Sequence, residues 1–246
     1  MENAELIAVS TQTALRNQLN VVANNIANMN TNGFKSQTLR FEEYLMPVAE
    51  ASLFQGIRDQ TLSYVHDAES VHDFRPGPTI ETNAPLDVAI NGDGWFVVDT
   101  ENGERYSRDG NFSINALGEL VNKNGQKVLG NGAPIVFGPD DTDIQIAKDG
   151  TISTSEGIRG QLTAVRFENT ATLKPTGLGT YDAPDAKPST EVTFIQGVLE
   201  KSNTESVTEI TTLIDVTRKY ESVSRIIKDL DDLREKAIGR LGRIQT

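Results

Sequence analysis

The chain has no cysteine among its 246 residues. That excludes a disulfide framework, a thiolate nucleophile and any cysteine-ligated metal. Nothing approaches the run of about 20 apolar residues that a membrane-spanning helix needs. The start, Met1-Glu2-Asn3-Ala4-Glu5, is acidic and lacks the basic and apolar segments of a Sec-type signal. There are only two histidines, His66 and His72, six residues apart and outside any HExxH pattern. That spacing suits neither one helix face nor one strand face, so both read as surface residues. A Gly-x-Ser-x-Gly elbow, an Asp-Thr-Gly triplet and a P-loop are all missing. The carboxylates Asp140, Asp141 and Asp143 follow Pro139 without a glycine-spaced loop and read as a solvated turn. No catalytic residue, cofactor or metal is therefore assigned, and an enzyme is not expected.

Basic side chains are also scarce where a nucleic acid would need them. The net charge is −12, and residues 46–197 hold 22 acidic against 11 basic side chains while both ends are near neutral. An acidic middle argues against a phosphate backbone as partner and reads as a solvated face.

What is present is patterned in three textures. From Ala4 to Met29 small or apolar residues recur every three or four positions, including Leu15, Leu19, Val22 and Ile26, which predicts one amphipathic helix. It runs into Asn24, Asn25, Asn28, Asn30 and Asn32, a poor composition for a free helix, because short amides compete for backbone hydrogen bonds. Amides on a packed face want partners on a neighbouring segment, and Asn32-Gly33 supplies the left-handed stop. Residues 36–75 form a connector with no lasting period, read as a short helix or irregular segment near Leu39–Ala51 followed by extended chain. From about Pro76 to Gly197, short runs rich in Val, Ile, Phe and Thr alternate with turn pairs such as Asn91-Gly92, Asp109-Gly110 and Asn124-Gly125. Strands without intervening helices predict an all-β domain, a barrel or a sandwich. Thr193-Phe194-Ile195 is expected to be its last strand, after a loop over Gly177–Ser189.

From about Thr204 the chain reads as helix to near Leu241. Leu213, Tyr220, Ile227 and Leu241 share one heptad position, and Val216, Val223, Leu230, Ala237 and Ile244 the next, with Arg234 the one break. This is a coiled-coil pattern. The fold class expected is α+β: a central β domain (76–197) flanked by a long N-terminal helix with its Asn-rich stretch (1–35) and a C-terminal coiled-coil helix (198–246). The closing helix exceeds its N-terminal counterpart by some ten residues, and the surplus favours partners outside the chain.

Three stretches carry a resemblance. Ala23-Asn24-Asn25-Ile26-Ala27-Asn28 with Thr31-Asn32-Gly33-Phe34-Lys35 resembles the N-terminal signature of the bacterial flagellar rod and hook axial family. Residues 83–96, with Tyr106-Ser107-Arg108-Asp109-Gly110-Asn111-Phe112, resemble that family's centre, and Gln196 to Asn203 its C-terminal junction. The resemblance implies a structural rod subunit, most like the proximal rod protein, since the connector lacks the longer insertion of the distal one. It implies polymerisation through both helices around the export channel, with copies of itself and other rod proteins as partners. It also implies passage through the flagellar type III apparatus without a cleaved signal, and residence in the periplasmic part of the basal body, without membrane insertion. The implied assembly interface comprises Leu15, Leu19, Val22, Asn24, Asn25, Ile26, Asn28, Asn32, Gly33 and Phe34, with Leu213, Val216, Tyr220, Val223, Ile227, Leu230, Ala237 and Leu241. The distal rod protein and a periplasmic enzyme acting on the cell wall are the alternatives.

Overall fold

The computed structural model describes residues 2–46, 62–189 and 191–242, with side chains described for 6–40, 70–189 and 191–240. The chain divides into two compact units, one of residues 1–27, 37–71 and 205–246, the other of residues 28–36 and 72–204.

The first unit holds helices α1 (Glu2–Ala27) and α2 (Ser206–Gly242). At 1.5 Å per residue these are about 39 and 55 Å long. They run antiparallel: Gln12 Nε2 donates to Ser224 Oγ at 3.0 Å, and Asn25 Nδ2 to Glu209 Oε1 at 3.0 Å. The strands Gln37–Met46 and Leu62–His72 pair as a two-stranded sheet. This corrects the helix or irregular segment expected near Leu39–Ala51, of which 47–51 lie outside the described residues, as do Leu53 and Phe54. Leu39, Phe41 and Leu45 in fact fall on alternate positions, and period two prevails over the helix-tolerant Glu42-Glu43 pair between them.

The second unit is antiparallel β throughout its described ladders. The main path of a ten-stranded sheet runs from Lys174–Gly177 through Thr180–Asp182, Gly103–Ser107, Trp95–Thr100, Lys127–Gly130 and Leu120–Asn122 to Phe112–Ile114, with Ala133–Pro134, Ala164–Arg166 and Lys187–Pro188 branching from it. Its path does not return on itself, so of the two expected architectures the sheets are sandwich-like and no closed barrel forms. Smaller ladders join Val88–Asn91 to Thr193–Gln196 and Thr79–Glu81 to Val198–Glu200.

The run Trp95-Phe96-Val97-Val98 is apolar without alternation because its strand is covered on both faces. Phe96 and Val98 enter a core with Val88, Leu120, Val128, Ile152 and Phe194, whereas Trp95 and Val97 enter a second with Tyr106, Leu129, Val165 and Tyr181. Tyr181 also corrects the loop expected over Gly177–Ser189, since Thr180–Asp182 is a strand and Tyr181 is buried. Another strand, Val198–Glu200, follows the one expected to be last. Nor is His72 a surface residue: it is half-buried, stacked on Phe74 at 5.7 Å and edge-on to Tyr181 at 5.6 Å, and burial lowers its pKa. His66 lies in the strand Leu62–His72, its side chain outside those described.

One glycine shows how tightly the family-like centre is packed. Gly110 was expected to serve a turn, yet a Cβ there would lie 1.7 Å from the Val88 carbonyl oxygen, and the Gly110 oxygen accepts from Val88 N at 3.0 Å. Gly110→Ala is expected to destabilise the β unit by about 3 kcal/mol or more, the upper range for forced overpacking. Urea unfolding followed by Trp95 fluorescence measures this. A midpoint unchanged from the parent would show that the two segments are not in close contact.

Candidate functional site

Helix α1 ends at Ala27 in a turn in which Thr31 N donates to Asn28 O at 3.0 Å and Thr31 Oγ1 to Asn28 Oδ1 at 3.2 Å. The chain then enters the left-handed region at Gly33, with φ of 67°. A Cβ on Gly33 would sit 2.4 Å from the Arg108 carbonyl carbon, so glycine is required both by conformation and by close approach. Gly33 N donates to Glu200 O at 2.8 Å, and Ser36 N to Asn203 Oδ1 at 2.8 Å. Asn203 Nδ2 in turn donates to the carbonyls of Asp73 at 2.7 Å and Arg75 at 3.1 Å.

This closure buries three charges. Lys35 is 0% exposed, Glu200 3% and Arg108 5%. Lys35 Nζ lies 2.6 Å from Glu200 Oε1, and Arg108 Nη1 lies 3.3 Å from Glu200 Oε2. One carboxylate thus serves two cations. Carbonyls meet further donors, Lys35 Nζ to Arg75 O at 2.9 Å, Arg108 Nη2 to Gly92 O at 2.8 Å and Arg108 Nη1 to Ile90 O at 3.2 Å, while the buried Arg108 Nε has no hydrogen-bond partner. The guanidinium carbon also stands 5.5 Å from the Trp95 ring centroid, a cation–π distance. Burial pushes the pKa of Lys35 and of Arg108 down, and the Glu200 carboxylate opposes it in both.

The amides divide by environment. Asn25, 2% exposed, accepts from Gln37 N at 2.9 Å and donates to Gln37 O at 2.9 Å as well as to Glu209, so one side chain ties α1 to a strand and to α2. Burial raises the Glu209 pKa, against the lowering effect of this Asn25 bond. Asn24 is exposed, Asn28, Asn32 and Phe34 are half-buried, and Gly33 is buried. On α1, Val22 is buried while Leu15, Leu19 and Ile26 are half-buried. Among the described side chains of α2 only Val216 is buried, at 2% exposure, while Leu213, Tyr220, Val223, Ile227, Leu230 and Ala237 are half-buried. Leu241 lies in the last turn, its side chain outside those described, and Ile244 falls beyond the described residues. Sequence reasoning did not single out Lys35, Arg108 or Glu200 as a site, although each stands inside a stretch that carried the resemblance. Among the described residues no group of three or more His, Asp or Glu side chains could hold a metal ion.

Comparison with known proteins is decisive here. Residues 6–35 match the family described as flagella basal body rod protein, residues 89–154 the flagellar hook protein FlgE/F/G D1 domain, and residues 195–240 the flagellar basal body rod FlgEFG protein C-terminal region. The flagellar basal-body rod protein FlgF of Caulobacter vibrioides is 38% identical over 99% of this chain and 100% of its own length. The chain belongs to the flagellar basal-body rod protein family. It is a structural protein of the flagellar basal body and not an enzyme. The FlgF protein of Salmonella typhimurium is 31% identical over 96% of this chain and 97% of its own, and the FlgG protein of Agrobacterium fabrum 32% identical over 92% and 95%. Each matched segment supplies one member of the buried cluster: Lys35 from the first, Arg108 from the second, Glu200 from the third.

Removing the shared anion leaves two buried cations uncompensated. Glu200→Gln is expected to cost about 3–5 kcal/mol, the range for breaking one side of a buried ion pair. Glu168→Gln, at an exposed pair with Lys187, is expected to cost less than about 1 kcal/mol. Denaturant unfolding read at Trp95 compares them, and equal losses would contradict the role given to burial.

Proposed function

We propose that this rod protein polymerises through α1 and α2, whose apolar faces pack in coiled-coil fashion against those of neighbouring copies and of other rod proteins around the export channel. The observation that carries the reading is the incomplete cover of the seam. Its residues follow the heptad spacing along α2, yet within one chain all but Val216 of those described stay half-exposed. Further large apolar side chains face solvent on the same helix: Val207 is 74% exposed, Ile226 52% and Leu233 55%. A helix about 55 Å long outreaches its 39 Å partner, so surface remains that a second subunit can bury. The β unit, ion-locked at its closure, keeps a fold that does not depend on the neighbours.

Near-complete mutual coverage with FlgF relatives supports a place in the proximal rod, and the shorter connector agrees with it. Residence in the periplasmic part of the rod and export through the flagellar type III apparatus follow from the same reading. Leu230→Asp places a carboxylate in the seam. It is expected to leave Trp95-detected unfolding within about 0.5 kcal/mol of the parent, the usual range for a change at a partly exposed site. In cells it should abolish motility and remove the protein from isolated basal bodies. Motile cells with the variant in their rods would contradict the seam's role in assembly.

A further inference from the structure

Five asparagines precede a glycine: Asn32, Asn91, Asn102, Asn124 and Asn131. Such a pair can react with itself, because glycine has no Cβ to keep its amide nitrogen away from the carbonyl carbon of the preceding side chain. The reaction needs rotation about the asparagine's own backbone and side-chain bonds. The structure opposes that rotation in four of the pairs. At Asn32 the side-chain oxygen is buried and the glycine nitrogen donates to Glu200 O at 2.8 Å. Asn91 closes a strand rung with Thr193, its Nδ2 lies 3.4 Å from Thr193 Oγ1, and Arg108 Nη2 holds Gly92 O at 2.8 Å. At Asn124 the side chain donates to Leu178 O at 3.0 Å, and Gly125 N donates to Asn122 O at 2.9 Å. Asn131 sits in the left-handed region with φ of 50°, and its backbone nitrogen donates to Thr163 Oγ1 at 2.6 Å.

The fifth pair stands apart. Asn102-Gly103 lies at the turn between Trp95–Thr100 and Gly103–Ser107, where Thr100 with Gly103 is the last rung. Both residues are exposed, and a Cβ on Gly103 would meet nothing within 4 Å. Among the described residues the Asn102 amide has no hydrogen-bond partner. Thr100 Oγ1 donates to Gly103 O at 2.7 Å, which steadies the glycine carbonyl and leaves the Asn102 side chain untouched. We infer that Asn102 is the chain's site of spontaneous deamidation. Gly103 N gives up its proton and bonds to Asn102 Cγ, the Cγ–Nδ2 bond breaks, and ammonia departs from a five-membered imide. Water then opens either imide C–N bond, which leaves a carboxylate at this position with the chain continuing through the original carbonyl or through the former side-chain carbon. One water enters and one ammonia leaves, nothing is oxidised or reduced, and solvent is the only co-reactant. The product adds a negative charge beside Asp99, Glu101 and Glu104, outward of the buried run Trp95–Val98, so the β unit keeps its fold. None of this rests on the assembly reading.

The test incubates the purified full chain in near-neutral buffer made with heavy-oxygen water, then maps its peptides by mass spectrometry after digestion in ordinary water. Heavy oxygen marks only what reacted before digestion. Label is expected at Asn102 roughly tenfold or more faster than at any of the other four pairs, because those react only when their turns open locally. In guanidinium chloride, with the fold gone, the five rates are expected to converge to within about threefold. Asn102→Gln, whose longer side chain cannot close a five-membered ring, is expected to remove most of the label from the folded chain. Label spread evenly over the five pairs of the folded chain, or fastest at Asn131 or another held pair, would overturn the inference, as would label at none of them. A preference for Asn102 that persisted undiminished in guanidinium chloride would overturn the selection by the fold.

Discussion

The structure depends on one shared carboxylate. Glu200 neutralises Lys35 and Arg108 in a site that water does not reach, and each of the three comes from a different part of the chain. Taking an isolated ion out of water costs several kcal/mol, so none of these groups can be buried until the others are in place. Lys35 and Glu200 are 165 residues apart, and the ladder that delivers Glu200 also pairs Val198–Glu200 with Thr79–Glu81. The β unit therefore closes only when segments from both ends of the chain have arrived. Such a site is a poor source of net stability but a strong selector of one arrangement, because every mispaired alternative strands a buried charge.

The two units solve opposite problems. The β unit is closed: its central strand is covered on both faces, Gly33 and Gly110 are seated against backbone, and Lys35 and Arg108 are paired with Glu200. The helical unit is left open, with a seam that one antiparallel partner covers only in part. Asn25 shows how the open part keeps its internal geometry, since its amide reproduces a strand-like exchange with Gln37 while reaching Glu209 across the helix pair.

The helices were legible because a repeat of three and four survives any surroundings: α1 and α2 begin and end within about two residues of the period's own limits. The β texture was legible from its turn pairs, but not its sheet order, since strand pairing is decided by partners far apart in sequence. The strand Gln37–Met46 was missed because its alternation is short and is broken by two glutamates. The ion cluster was invisible for a plainer reason. A lysine, an arginine and a glutamate in polar contexts look like solvated residues, and only the fold shows that they share one dry site. Gly33 was read for its conformation, and its second constraint, contact with the Arg108 backbone, lies outside local sequence.

Limited proteolysis of the purified chain, with the resistant material weighed under native conditions, tests the central role of this closure most directly. The account predicts that residues 28–36 remain bound to 72–204 after both helices are trimmed, because Lys35 and Gly33 are held by Glu200. A resistant core that begins near Pro76 and has lost Lys35 would contradict it, since the β unit would then persist with Glu200 and Arg108 alone.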